Sequence, residues 1–257
     1  MKIPPTIQHW IVPVALLTAW EAGGDMALLP RYLPPPSQIL AALYEIAADG
    51  ELLQAASITL YRVTLGFVLG TGAGTLVGLA AGLVPAIRHF FDPLVSFLYA
   101  VPKIAFLPIF LLLFGLGQES KIAITAFSCL FPVFIASRHA ALSVGKHLVW
   151  AARNMGAPAS TIFLRVFIPA TAPQLFSGAR IGLANAFVVL FAAELIGSRG
   201  GLGVLISDGE DAARFDLMFA GIVTFAILGL AADRILMTIR RRVLRGQIIG
   251  TVEQLVR

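Results

Sequence analysis

Apolar runs of nearly twenty residues or more recur along this chain, and most charged residues fall between them. A helix rises about 1.5 Å per residue, so about twenty residues cross the roughly 30 Å hydrocarbon core of a bilayer. Composition points the same way: of 257 residues, 58% are hydrophobic and only 13% charged. A soluble domain carries roughly a quarter charged residues. The chain therefore reads as an all-α integral membrane protein with about six transmembrane helices. The expected spans are residues 9–24, 62–84, 91–116, 121–142, 173–197 and 217–238. They make an N-terminal extra span, a core over 62–240 and a tail over 241–257, all within one domain.

Several function classes drop out. A net charge of +5 could suggest nucleic acid, but the basic residues are scattered between apolar blocks rather than gathered on one soluble face. The single cysteine, Cys129, excludes an internal disulfide and a multi-cysteine metal site. His9, His89, His139 and His147 sit near span boundaries without metal-ligand spacing. Lys2 ahead of an apolar run resembles a signal peptide, yet Trp20-Glu21 stands where small residues would precede cleavage. A retained first helix is the expectation.

Orientation follows the Lys and Arg count. With both termini cytoplasmic, the inner side holds Lys2, Arg88, Lys146, Arg153, Arg165, Arg240, Arg241, Arg242 and Arg245, with Lys103 and Arg138 at inner helix ends. The outer loops hold Arg31, Lys121, Arg199 and Arg214, with Arg62 at a helix end, amid many acids. The run Arg240-Arg241-Arg242 suits contact with anionic lipid headgroups.

Between the first two spans, the prolines at 34–36 forbid helix interior, and Ser37 is expected to cap a surface helix towards Asp49. In the second span Gly66, Gly70, Gly74, Gly78 and Gly82 recur every fourth residue. Such a stripe lets another helix backbone approach closely, either within this chain or at a seam between subunits. The run Gly70-Thr71-Gly72-Ala73-Gly74 is not followed by Lys-Ser/Thr, so no phosphate-binding loop is expected. Pro102 and Pro108 predict a kink in the third span, on a helix that either lines a pathway or packs irregularly.

The stretch over 143–172 is the long polar loop of the chain. Trp150-Ala151-Ala152-Arg153-Asn154-Met155-Gly156-Ala157-Pro158 predicts a short helix ended by Gly156 and Pro158, with Ile168-Pro169 beyond. A helix bounded in this way suits docking onto a soluble partner, and a plain solvated connector is the alternative. Ala151-Ala152, Gly156 and Ile168-Pro169 follow the spacing of the "EAA" loop of binding-protein-dependent ABC importer permeases, and the sequence resembles that family. Leu33-Pro34-Pro35-Pro36, Phe114-Gly115-Leu116-Gly117, Ala193-Glu194-Leu195-Ile196-Gly197 and Gly201-Leu202-Gly203 resemble its nitrate, taurine and alkanesulfonate branch. Trp150 departs from the family's usual Glu.

The resemblance implies a type I importer permease fold and alternating access for a small polar solute such as a sulfonate, taurine or nitrate. It implies docking to the ATPase through Trp150, Ala151, Ala152, Arg153, Asn154, Gly156, Ala157 and Pro169. The implied partners are two ATPase subunits that bind ATP and Mg, a second copy of the permease, an outer substrate-binding protein and membrane lipid, with no nucleic acid. The implied place is the bacterial cytoplasmic membrane, and the chain itself would do no bond chemistry. Ser96, Tyr99, Ser128, Asn185 and Glu194 are pathway candidates, because polar groups in spans face a bundle interior or a wet cavity. Glu194 reads equally as a carboxylate snorkelling at a helix end, Asn185 as an interhelical hydrogen bonder, and Arg180 as reaching the interface or pairing with an acid. An ion-gradient transporter is the alternative, against which stand the lack of a repeat and of an acid at mid-span. A membrane enzyme would need a catalytic cluster that the sequence does not display.

Overall fold

The computed structural model describes residues 5–26 and 28–245, with side chains from residue 11 onward. Lys2, the His9 side chain and the tail beyond Arg245 lie outside the described residues. The described elements are all helical: α1 (Pro5–Asp25), α2 (Pro36–Ala48), α3 (Glu51–Leu83), α4 (Pro85–Ala100), a 3₁₀ turn (Lys103–Phe106), α5 (Leu107–Phe114), α6 (Gln118–Ser143), α7 (Lys146–Asn154), α8 (Ala159–Ile162), a π-helical turn (Phe163–Phe167), α9 (Ile168–Leu195), α10 (Leu202–Asp211) and α11 (Phe215–Val243).

Four helical stretches among them are long and apolar enough to cross a membrane: α3, α6, the continuous run from α8 through α9, and α11. A fifth arises if α4 and the segment through α5 count as one broken span. The N-terminal segment forms a helix as expected, but Gln8, His9, Thr18 and Glu21 dilute its apolar residues. The expected third span over 91–116 needs correction. It is not one kinked helix but two, bent by 99° at residues 101–102. Val101 is extended (φ −78°, ψ 134°), as the ring of a following proline requires. Pro102 then cannot donate, and Pro108 sits in the first turn of α5, where a missing N–H costs nothing.

The fold divides into two compact units. In the first, residues 1–59 with 194–227, α2 does not start at Ser37 as expected. Pro35 holds the cap position and Pro36 the first turn. The Ser37 N–H donates instead to the Glu21 carboxylate of α1 at 3.0 Å, so a charge from a neighbouring helix does the capping. Arg214 donates to Glu45 at 3.1 Å and to Asp216 at 2.7 Å. Hydrogen bonding to Asp216 first, then to Glu45, pushes the Arg214 guanidinium further above its ordinary value.

The second unit, residues 60–193 with 228–257, is built around α6, the most buried of the long helices. The glycine stripe of α3 lies against it. A methyl at Gly66 would stand 2.6 Å from Thr125, at Gly70 2.2 Å from the Ala126 carbonyl, and at Gly74 2.7 Å from that of Leu130. At Gly78 it would meet the Phe134 carbonyl at 2.5 Å, and at Gly82 the Ala141 Cβ at 2.3 Å. The stripe is thus an intrachain packing face. On α9, Gly178 and Gly182 approach α6 at Ala136 and Val133, so α6 receives glycine faces from two helices.

Gly70 and Gly72 make a controlled pair. Gly70→Ala forces a methyl into the α6 backbone and should cost about 1–3 kcal/mol. Gly72 has nothing within 4 Å of its would-be Cβ, so Gly72→Ala should be neutral or stabilise by up to about 1 kcal/mol. Thermal unfolding of the purified protein in detergent checks the difference.

Candidate functional site

The polar connector folds into α7, a nine-residue helix with one side chain buried, Ala152. Its end is a Schellman motif: the Gly156 N–H donates to the Arg153 carbonyl at 3.0 Å and the Ala157 N–H to that of Ala152 at 3.1 Å. This closure needs a left-handed residue, and Gly156 has φ +78°. Pro158 then bars continuation. Ala151, Arg153 and Asn154 are exposed, and so are the large side chains Leu148, Trp150 (57%) and Met155 (80%). Trp150 stands edge-on to His147 with centroids 5.8 Å apart. A short rigid helix thus turns large apolar groups outward, held by one small residue on its inner side.

The rest of the stretch over 143–172 differs from the expected loop. Helix resumes at Ala159 and runs unbroken to Leu195. Pro169 and Pro173 therefore lie inside a helix rather than in a connector. Pro169 offers no N–H to the carbonyl of Arg165, and residues Phe163–Phe167, ending two positions before it, wind as a π turn, the usual way a helix absorbs such a gap.

The polar candidates separate into distinct settings. Ser96 and Tyr99 are exposed on α4. Ser128 is fully buried and donates to the Thr125 carbonyl at 2.8 Å. Asn185 is half-buried on α9. Glu194 does not snorkel to an interface: it is 1% exposed. Its carboxylate accepts from the Thr59 hydroxyl at 2.9 Å and from the Gly203 N–H at 3.0 Å. Thr59 in turn accepts from the Leu202 N–H at 2.9 Å. The first two amides of α10 are thereby satisfied by α3 and α9, and a buried carboxylate is stabilised by the donors it collects. Left-handed Gly197, Gly200 and Gly201 fold the intervening loop back, with a Gly203 methyl placed 2.3 Å from the Glu194 Cβ.

Sequence reasoning missed three partners. Thr59 lies 135 residues from Glu194, and no spacing signals the contact. Asp233, inside α11, accepts two hydrogen bonds from Arg180 at 2.7 and 3.0 Å. Asp233 stands beside Arg234 in an otherwise apolar run, and Arg180 pairs with it, one of the two roles expected. Asp92 pairs with Arg138. Among the described residues no group of His, Cys, Asp or Glu could hold a metal.

A polytopic helical protein with a short, closed and exposed helix between two of its spans is built like the membrane subunit of a transport complex. The chain belongs to the family described as binding-protein-dependent transport system inner membrane component, whose sequence pattern matches residues 70–245. It is 33% identical to the taurine transport system permease protein TauC of Escherichia coli, over 88% of this chain and 85% of that one. It is 32% identical to SsuC of Bacillus subtilis, named as a candidate aliphatic sulfonates transport permease, over 91% of this chain and 86% of the relative. Its fold is similar to a chain of the inward-facing MetNI methionine ABC transporter, with a TM-score of 0.57 at 22% identity, covering 75% of this chain and 93% of the other.

The Glu194 knot makes a direct prediction. Thr59→Val keeps the side-chain shape but removes both the donor to Glu194 and the acceptor for Leu202 N–H. It should destabilise the protein by about 1–3 kcal/mol, read as a lower melting temperature in detergent.

Proposed function

We propose that this chain is the membrane subunit of an ATP-driven importer for a small sulfonate such as taurine or an alkanesulfonate. The relatives' names support the substrate class, and α7 is the observation that carries the mechanism. A separate ATPase, in two copies that bind ATP and Mg²⁺, grips the exposed ridge of α7 that carries Trp150, on the side away from buried Ala152. Trp150 presents an indole where the family has a carboxylate, so contact there is van der Waals rather than ionic. Arg153 and Asn154 flank that ridge, and Ala152 anchors it. Two copies of the chain frame the pathway, and an outer binding protein delivers the solute. Both termini lie in the cytoplasm on the basic-residue count, which puts α7 on the ATPase side of a bacterial inner membrane.

Two outcomes test this. Gly156→Arg imposes a left-handed backbone on a residue with a Cβ, at a cost of about 1–2 kcal/mol, and should undo the Schellman closure. In the reconstituted complex ATP hydrolysis should continue while sulfonate uptake falls at least tenfold. Unchanged uptake with intact assembly would overturn the docking role of α7. Orientation is checked at the exposed Arg153. A thiol placed there by Arg153→Cys should react with impermeant reagent only from the cytoplasmic side, with buried Cys129 giving little background. Labelling on intact cells would invert the topology.

A further inference from the structure

The broken helix α4 has three chemically distinct faces. Ile87, Phe91, Val95 and Leu98 pack into the α6 core. Phe90, Leu94 and Phe97 form an exposed apolar face, suited to acyl chains. The third face follows the helical spacing Asp92, Ser96, Tyr99 and arrives at Lys103 just past the break. Ala100, which ends α4, lies about 18 Å along the axis from Arg88, a length that reaches well into a hydrocarbon core of roughly 30 Å if Arg88 sits at the membrane surface and α4 stands steeply. A polar stripe at that depth does not face lipid, because ionisable groups there turn to water or to protein. Broken helices at membrane depth are likewise tolerated where they line a wet cavity.

The two charges on this stripe differ in one respect. Asp92 is neutralised by Arg138. Lys103 is not paired with a carboxylate among the described residues. Its ammonium donates to the Tyr99 carbonyl and lies over the rings of Tyr99 and Phe131, 4.6 and 5.5 Å from their centroids. One N–H serves the carbonyl, and an ammonium has three. Two donors and a full positive charge are left, on a face shared with the Ser96 and Tyr99 hydroxyls.

We propose that Lys103 is the anion-recognising group of the permeation pathway and takes the sulfonate head group of the solute as it passes the break in α4. The membrane subunit itself then discriminates in favour of anionic head groups, in addition to any selection by the binding protein. This rests on the importer reading and deepens it. Among the described cations it separates Lys103 from Arg138 and Arg180, whose charges are balanced by Asp92 and Asp233.

The test uses the complete complex in proteoliposomes, with saturating binding protein and a short alkanesulfonate. Lys103→Met should cut uptake at least tenfold and Lys103→Arg should keep at least a third of it. ATP hydrolysis stimulated by the binding protein should stay within twofold in both. In a Cys129→Ala background, Lys103→Cys should be inactive, regain uptake when an aminoethyl thiosulfonate restores the positive charge, and stay inactive with the sulfonatoethyl reagent. Wild-type uptake by Lys103→Met overturns the proposal. So does equal behaviour of the two reagents, and so does joint loss of uptake, stimulated hydrolysis and melting temperature, which would mark Lys103 as only a helix cap. If the wild-type complex instead moves a different anion and Lys103→Met loses it, the sulfonate assignment fails while Lys103 stands. Uptake of neutral solutes alone overturns both.

Discussion

Two helix backbones that touch in a bilayer gain nothing from excluding water, since the displaced lipid is as apolar as the side chains. What holds α3 to α6 is contact itself, and the contact exists only because five residues on one face of α3 lack a Cβ. At each of them a methyl would come within 2.2–2.7 Å of an α6 atom, closer than carbon atoms approach. Gly178 and Gly182 bring α9 to the same helix. Helices α3 and α9 are therefore positioned against α6 by steric fit. Dispersion falls steeply with separation, so a shift of even one methyl on this face would be felt along the whole packing line.

This dependence explains which parts of the fold were legible in the sequence. A four-residue glycine repeat has a one-dimensional signature, and both of its readings were open until Thr125, Ala126 and Ala141 were found opposite it. The helix terminus at Gly156 was legible for the same reason: Gly followed two residues later by Pro encodes a local stop that needs no distant partner. The break at residues 101–102 was only half legible. Pro102 announces irregularity, but whether a helix bends slightly or turns through 99° depends on packing around Phe91, Val95 and Phe131. The failures are all non-local. Ser37 has the composition of a cap and lost the position to two prolines, with Glu21 supplying the charge from another helix. Glu194 looked like an interfacial carboxylate because Thr59 and Gly203 could not be foreseen beside it.

Many polar groups in the apolar helices are satisfied within the chain. Ser128, Thr125 and Thr224 give their hydroxyls back to carbonyls of their own helices. Arg180 and Asp233 neutralise each other, as do Arg138 and Asp92. Glu194 collects an amide and a hydroxyl. Each arrangement lowers the cost of polarity in hydrocarbon by satisfying it inside the chain. Lys103 uses a carbonyl and two aromatic faces, which stabilise an ammonium without cancelling its charge. A charge stabilised but not neutralised is what a site for a passing counter-ion requires.

The connection between α7 and the span that follows it sets how a movement of α7 can travel. Only residues 155–158 separate the end of α7 from a helical run of 37 residues, about 55 Å long at 1.5 Å per residue. The Schellman closure ties the Ala157 amide back to Ala152, so this short link is itself hydrogen-bonded rather than slack. Displacing α7 therefore displaces the base of α9. The π turn at residues 163–167 resets the ladder of i to i−4 bonds near the start of that run. A rotation entering at α7 has two places to be absorbed, the turn itself and the glycine contacts of Gly178 and Gly182 with α6.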